Sequence, residues 1–241
     1  HAVREAWLNP ERRVHRLIAT RAGLEALADA LAEAGARDLR RPAPETVERE
    51  ALDAMLPGGT VHQGAVLVAE PLEAPDLDDI LRRADDRDDA LVMVLDQVTD
   101  PQNVGAILRS SAAFGALAVL VTERHAPELT GTLAKIASGA AEHVPLVRVT
   151  NLARGLRDMK EHGFWCVGLA EEGPTDLAGV ATAGKIALVL GAEGPGLRRL
   201  TRETCDALAR LPTRGPIGSL NVSNAAAVAL YEAARCRDVR G

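Results

Sequence analysis

The chain has 241 residues, 47% of them apolar and 26% charged, the balance of a globular protein with room for one large domain or two smaller ones. Aromatic residues make up 2%, so the core must be built from Leu, Val, Ile and Ala, and aromatic stacking cannot be the main hold on a nucleic acid. The net charge of −6 is unevenly spread: residues 70–89 carry nine acidic and three basic side chains while both flanks are near neutral, so charge neither supports nor excludes a polyanionic partner.

The sequence has no run of 18 apolar residues and no signal peptide, so no membrane is expected as a partner. Cys166, Cys205 and Cys236 are widely spaced and form no Cys-x-x-Cys pair, and the six histidines show no His-x-x-x-His spacing. A cytoplasmic protein with neither disulfide framework nor structural metal is expected. The sequence opens His1-Ala2-Val3 without an initiator Met, so further N-terminal sequence is expected to precede it.

In chain order, residues 14–19 read as a strand, 22–34 as a helix with leucines at 24, 27 and 31, and 65–69 as a second strand. Residues 1–69 are thus expected to form a small α/β domain. Residues 70–89 hold the acidic block and two prolines and read as a linker, with a short helix capped by Asp76 whose apolar side is Leu77, Ile80 and Leu81. From residue 90 onward, apolar runs at 91–95, 117–121, 144–149, 164–169 and 186–190 alternate with helical patterns at 102–114, 131–137 and 151–162. Residues 90–241 are therefore expected to form an open, mostly parallel sheet with helices on both faces, an α/β fold that binds ligands beyond the carboxyl ends of its strands.

Three segments gather chemistry. In the first, a helix begins near Pro101, a residue suited to a first helical turn. Arg109 follows Asn103 by six positions, about 600° of helical rotation, so the two share a pocket only if Asn103 sits at the loop-to-helix junction. Otherwise Asn103 is a turn residue and Arg109 a surface charge. In the second, glycines at 191, 194 and 196 let a ligand approach the backbone, and Glu193 is the only acid among them. The spacing is neither a Walker loop nor the dinucleotide fingerprint, and a plain strand-to-helix turn is the other reading. In the third, a Gly/Pro loop after Leu211 leads to Ser219, Asn221, Ser223 and Asn224, directly before an Ala-rich helix. One side chain suffices to cap a helix, so four polar groups there point also to a ligand near its unpaired N–H groups, an over-capped helix being the other reading.

In this order, Asp100-Pro-Gln-Asn-Val-Gly-Ala-Ile-Leu-Arg-Ser, Leu190-Gly-Ala-Glu-Gly-Pro-Gly and Ser219-Leu-Asn-Val-Ser resemble the motifs of the SpoU (TrmH-type) RNA ribose 2′-O-methyltransferases of the SPOUT class. The resemblance extends through Ser138-Gly-Ala-Ala-Glu-His-Val-Pro and Val149-Thr-Asn-Leu-Ala-Arg. Upstream, His1-Ala-Val and Gly59-Thr-Val-His-Gln-Gly64 look like the ends of the family's small N-terminal RNA-binding domain. Over its full length the chain most resembles the branch that modifies a guanosine ribose in large-subunit (23S) ribosomal RNA. The resemblance implies S-adenosyl-L-methionine as cofactor, a deep trefoil knot in residues 90–241, and a homodimer through the knotted region. It maps the active site to Asn103, Arg109, Glu193, Ser219 and Asn221, and the cofactor contacts to Gly191, Leu211 and Leu220, with Leu190 and Ile217 beside them. Arg198, Arg199 and Arg214 flank that site as candidate phosphate contacts, and His62 is a candidate RNA contact in the N-terminal domain.

Methyl transfer to a ribose 2′-OH needs aligned reactants and removal of the hydroxyl proton. In the family the position of Arg109 is given the part of general base. A guanidinium has a pKa above about 12 and no acceptor, so the expected part is electrostatic: a bidentate hold on phosphate and stabilisation of alkoxide charge. Asn103, Ser219 and Asn221 are expected to orient the ribose and the loops, and Glu193 to fix Arg109 or a loop amide. A non-catalytic RNA-binding module and a tRNA ribose methyltransferase are the other readings; a binder has no need of Asn103, Arg109, Glu193 and Asn221 together.

Overall fold

A computed structural model describes residues 1–58, 60–124, 127, 131–180, 184–215 and 218–238. The chain forms two compact units, His1–Glu73 and Ala74–Gly241.

The N-terminal unit contains α1 (Ala2–Leu8), β1 (Val14–Ala19), α2 (Arg21–Ala26), α3 (Ala28–Ala36), β2 (Glu45–Thr46), α4 (Arg49–Met55) and β3 (Ala65–Ala69). Its sheet has the order β2-β1-β3, parallel on one side of β1 and antiparallel on the other. Trp7, Leu8, Leu17, Leu27, Ala30 and Ala34 form its core. The single helix expected over 22–34 is two, broken at Leu27, whose φ/ψ of −103°/2° lies outside the helical well. The leucine period at 24, 27 and 31 runs straight across the break and so gives no sign of it. Thr20 caps α2 by accepting from the Gly23 N–H (3.1 Å), and Gly23 lies so close to the Gly64 carbonyl that a Cβ would sit 2.1 Å from its oxygen. Arg41 staples the chain around this core, donating to the carbonyls of Trp7 (2.6 Å), Asn9 (2.6 Å) and Arg12 (3.1 Å).

The C-terminal unit contains α5 (Leu77–Asp85), β4 (Ala90–Asp96), α6 (Pro101–Ala113), β5 (Ala118–Thr122), α7 (Gly131–Ile136), β6 (Leu146–Val149), α8 (Leu152–Glu161), β7 (Trp165–Leu169), β8 (Thr175–Asp176), β9 (Lys185–Gly191), α9 (Arg199–Thr204), β10 (Ala207–Arg210) and α10 (Val222–Asp238). Seven parallel strands run in the order β6-β5-β4-β9-β7-β10-β8. Alternation along β4 divides the unit into two cores. Leu91, Met93 and Leu95 face Ile107 and Leu108 of α6 and Ala226 and Leu230 of α10. Val92 and Val94 face Ile80 and Leu81 of α5 and Leu156 and Met159 of α8. Helices therefore cover both faces, as the near-continuous apolar strands require. Among the described residues no helix is long and apolar enough to cross a membrane.

The segment 70–89, expected as a linker, is divided by the structure: its residues from Ala74 onward belong to the C-terminal unit. Its acidic residues are used locally. Asp76 accepts from the Asp79 N–H (2.8 Å) and Asp79 returns the bond to the Asp76 N–H (3.1 Å), a reciprocal cap that also puts negative charge at the positive end of α5. Ile80 and Leu81 are then buried against the sheet. Ile80→Ala is expected to cost the C-terminal unit about 3 kcal/mol, the scale of a fully buried aliphatic truncation, measured by urea denaturation. An unchanged midpoint would return this segment to the status of a free linker.

Candidate active site

The carboxyl ends of β4, β9 and β10 lie on one edge of the parallel sheet, with Asp96 in register beside Gly191. The chain leaves β4 through Gln97, a non-glycine residue at φ +64°. It enters α6 at Asp100, which caps the helix by accepting from the Gln102 N–H (2.9 Å), with Pro101 in the first turn. Asn103 thus sits in the first turn of α6, as a shared pocket requires. β9 leaves through Gly191 into a tight loop: Ala192 and Gly196 form an isolated antiparallel bridge, and the Gly196 N–H donates to the Ala192 carbonyl (2.9 Å). Gly191 is obligatory for this turn, since a Cβ there would fall 2.0 Å from the Gly196 carbonyl carbon. The third stretch arrives at α10, whose start Asn221 caps by accepting from the Ser223 N–H (2.9 Å) and Ser223 hydroxyl (2.5 Å).

Glu193 joins the three. Its Oε1 accepts from Asn221 Nδ2 (2.5 Å), from the Val222 N–H (3.3 Å) and from Asn103 Nδ2 (3.4 Å), and Asn221 Nδ2 also donates to Asn103 Oδ1 (3.1 Å). Glu193 thus holds a backbone amide, the one that opens α10, and two asparagines, and makes no bond to Arg109 among the described residues. Beside this cluster opens a cleft of about 940 Å³. Leu190, Gly191, Leu211, Ser219 and Leu220 line it together with Glu193 and Asn221. Leu169 and the charged residues Glu172, Asp176, Arg202 and Arg210 also line it. Ile217, the remaining candidate cofactor contact, lies outside the described residues.

Arg109 is not part of the cluster. It is exposed on α6, six residues and so about 9 Å along the axis from Asn103, and makes no hydrogen bond or ion pair among the described residues. The candidate phosphate contacts separate. Arg214 is exposed at the cleft. Arg199 pairs with Glu203 one turn along α9 (2.9 Å). Arg198 is engaged inward: its backbone N–H donates to Asp96 Oδ2 (2.9 Å) and its Nε to Asp96 Oδ1 (2.6 Å). His62, in the N-terminal unit, has a side chain only 4% exposed. Its Nε2 bonds to Asp53 Oδ1 (2.8 Å) and its Nδ1 accepts from the Gly64 N–H (3.3 Å), so the ring braces its loop. Asp96 escaped the sequence reading, although an aspartate directly following Leu91–Leu95 in a strand buried on both faces was a visible signal.

Comparison with known proteins follows the same residues. A sequence model of the SpoU rRNA Methylase family matches residues 90–231. The chain is 48% identical over 196 residues to the 23S rRNA (guanosine-2′-O-)-methyltransferase RlmB of Vibrio cholerae, covering 80% of this chain and 78% of that protein. It is 50% identical over 179 residues to the RlmB of Ralstonia nicotianae, covering 74% and 71%. Among solved structures, the SpoU methyltransferase AviRb from Streptomyces viridochromogenes in complex with the cofactor AdoMet aligns with a TM-score of 0.77 at 25% identity, covering 100% of this chain and 90% of that one. The family match runs from β4 into α10 and takes in every residue that meets at Glu193, and on it the chain belongs to the SpoU rRNA methylase family.

Proposed function

We propose that this protein transfers a methyl group from S-adenosyl-L-methionine to the ribose 2′-hydroxyl of a guanosine in 23S ribosomal RNA, acting in the cytoplasm as a homodimer. The observation that carries this reading is the convergence of three separated loops on Glu193 Oε1 at the mouth of one cleft. The relatives named as 23S rRNA (guanosine-2′-O-)-methyltransferases match 74–80% of the chain, and AviRb, of like fold, holds AdoMet.

The cleft fits that cofactor by its chemistry. An adenosine offers an apolar face and a polar edge, and the walls here offer aliphatic Leu190 and Leu211 with the backbone of a glycine loop beside them. Gly191, Leu190, Leu211 and Leu220 would hold it. When bound, S-adenosylmethionine supplies a methyl group made electrophilic by a sulfonium sulfur. The chain's own part is positioning and electrostatics. Asn103 and Asn221, locked to each other and to Glu193, present amide groups in fixed orientation to a ribose at the cleft mouth. Ser219 adds a hydroxyl on the same wall. Glu193 orders these amides through Oε1. Arg109 and Arg214, the two candidate arginines with no carboxylate partner among the described residues, are assigned to phosphate, with Arg109 also opposing alkoxide charge. The N-terminal unit is assigned to RNA substrate binding.

The homodimer is supported by the exposed apolar side chains Leu220, Val228 and Tyr231 on and beside α10. The trefoil knot of the family is assigned to the segment from β9 to α10. The sheet order supports this, since β10 follows β9 in sequence yet pairs with β7 beyond it.

Incubation with tritiated S-adenosylmethionine and a 23S rRNA fragment is expected to label a guanosine as its 2′-O-methyl derivative; label absent from guanosine ribose sinks the proposal. Gly191→Ala is expected to weaken S-adenosylhomocysteine binding at least ~10-fold, about 1.4 kcal/mol, by calorimetry, because the new methyl group overlaps the Gly196 backbone. Arg109→Lys should keep weak, salt-dependent RNA binding while kcat falls on the order of 100-fold. A near-normal turnover in that variant would show that the planar guanidinium is not required.

A further inference from the structure

Among the described residues Asp96 is the only charged residue that is buried, with none of its surface exposed. The chemistry above makes no use of it. It ends β4 in register with Gly191, and both of its oxygens are committed to one residue, Arg198: Oδ2 to the backbone N–H and Oδ1 to Nε. The loop between Gly191 and Arg198 is the wall of the cleft and the carrier of Glu193. Two of its residues, Gly194 and Gly196, have φ of +80° and +67°, so its conformation is one that few side chains would favour. Burying a carboxylate is costly unless it is paired and hydrogen-bonded. An arginine needed only for RNA phosphate would have no use for such a partner.

We propose that Asp96 and Arg198 are a positioning pair: their ion pair shuts the 191–197 loop onto the sheet edge, fixing the cofactor wall and the place of Glu193. In this assignment, which rests on the proposed cofactor, Arg198 is not an RNA contact. The Asp96 carboxylate reads the loop at its far end, through a backbone amide and a side chain of the residue before α9. The two bonds on separate oxygens fix both the position and the direction of the chain there. Opening the pair frees the end of the loop while Gly191 remains held in β9.

The test uses the full chain and the variants Asp96→Asn, Arg198→Gln and Arg198→Lys. It measures amide hydrogen exchange over residues 191–198, the Kd for S-adenosylhomocysteine, and the Kd and salt dependence for a 23S rRNA fragment. Asp96→Asn and Arg198→Gln are expected to speed exchange in the loop and raise the S-adenosylhomocysteine Kd, each about tenfold, with RNA affinity within twofold of wild type. Arg198→Lys keeps the charge without the Nε donor and should fall between wild type and Arg198→Gln. If Arg198→Gln instead weakens RNA binding, lowers the salt slope by about one and leaves loop exchange unchanged, Arg198 is a phosphate contact and the proposal is overturned. No change in any measurement overturns it equally. Should Asp96→Asn fail to fold, the two Arg198 variants, whose side chain is half exposed, decide the matter alone. Failure of wild type to bind S-adenosylhomocysteine would remove the proposed function, while loop exchange would still judge the pair.

Discussion

Glu193 Oε1 is a single acceptor atom that joins its own loop to two others, whose donors Asn103 and Asn221 are 118 residues apart in sequence. Everything distinctive about the C-terminal unit serves that meeting. The parallel sheet brings the carboxyl ends of β4 and β9 side by side, and the register of Asp96 with Gly191 sets their loops level. Each loop then contributes one polar group near a helix start: Asn103 in the first turn of α6, Asn221 as the cap of α10, and Glu193 between them. A carboxylate oxygen accepting several N–H bonds gains from each and holds its donors in one geometry, so the cluster is stiff without being buried.

That stiffness has a limit in the loop itself. Three of its residues are glycine, and glycine brings no side chain to anchor. Inside the loop the Ala192–Gly196 bridge supplies one constraint, and the loop's two ends are held from outside: the ladder of β9 fixes Gly191, and Asp96 fixes Arg198. The same reasoning explains a pairing that looks wasteful in isolation. A buried aspartate weakens a core when judged against an apolar residue of equal size, and its presence at the end of β4 is intelligible as specification of one loop conformation.

Strand period and helix period carried most of the fold. Leu91–Leu95 and Ile186–Leu190 are apolar on both faces because both faces are covered, and that is how they read. β10 was invisible for the converse reason: Ala-Leu-Ala-Arg has no β-branched residue and owes its strand state to pairing with β7. The helix of the acidic segment was legible from Asp76 and its apolar side, but its membership of the C-terminal unit was not, since charge density measures only the outward face. At the site, residue types and order pointed to Asn103, Glu193 and Asn221, whereas partnerships did not follow from order. Arg198 and Arg199 are adjacent in sequence yet one turns inward to Asp96 and the other along α9 to Glu203.

Those partnerships also resolve how an acidic chain suits a polyanionic substrate. Near the cleft, Arg198, Arg199, Arg202 and Arg210 are each matched to a carboxylate of the same unit, Asp96, Glu203, Glu172 and Asp176. Such pairs project little field beyond the Debye length and offer little to a phosphate without first being broken. Arg109 and Arg214 carry no such match among the described residues. A site-directed hold on RNA then depends on individual unneutralised guanidinium groups such as Arg214 at the cleft, and the net charge of −6, concentrated in residues 70–89, says little about it.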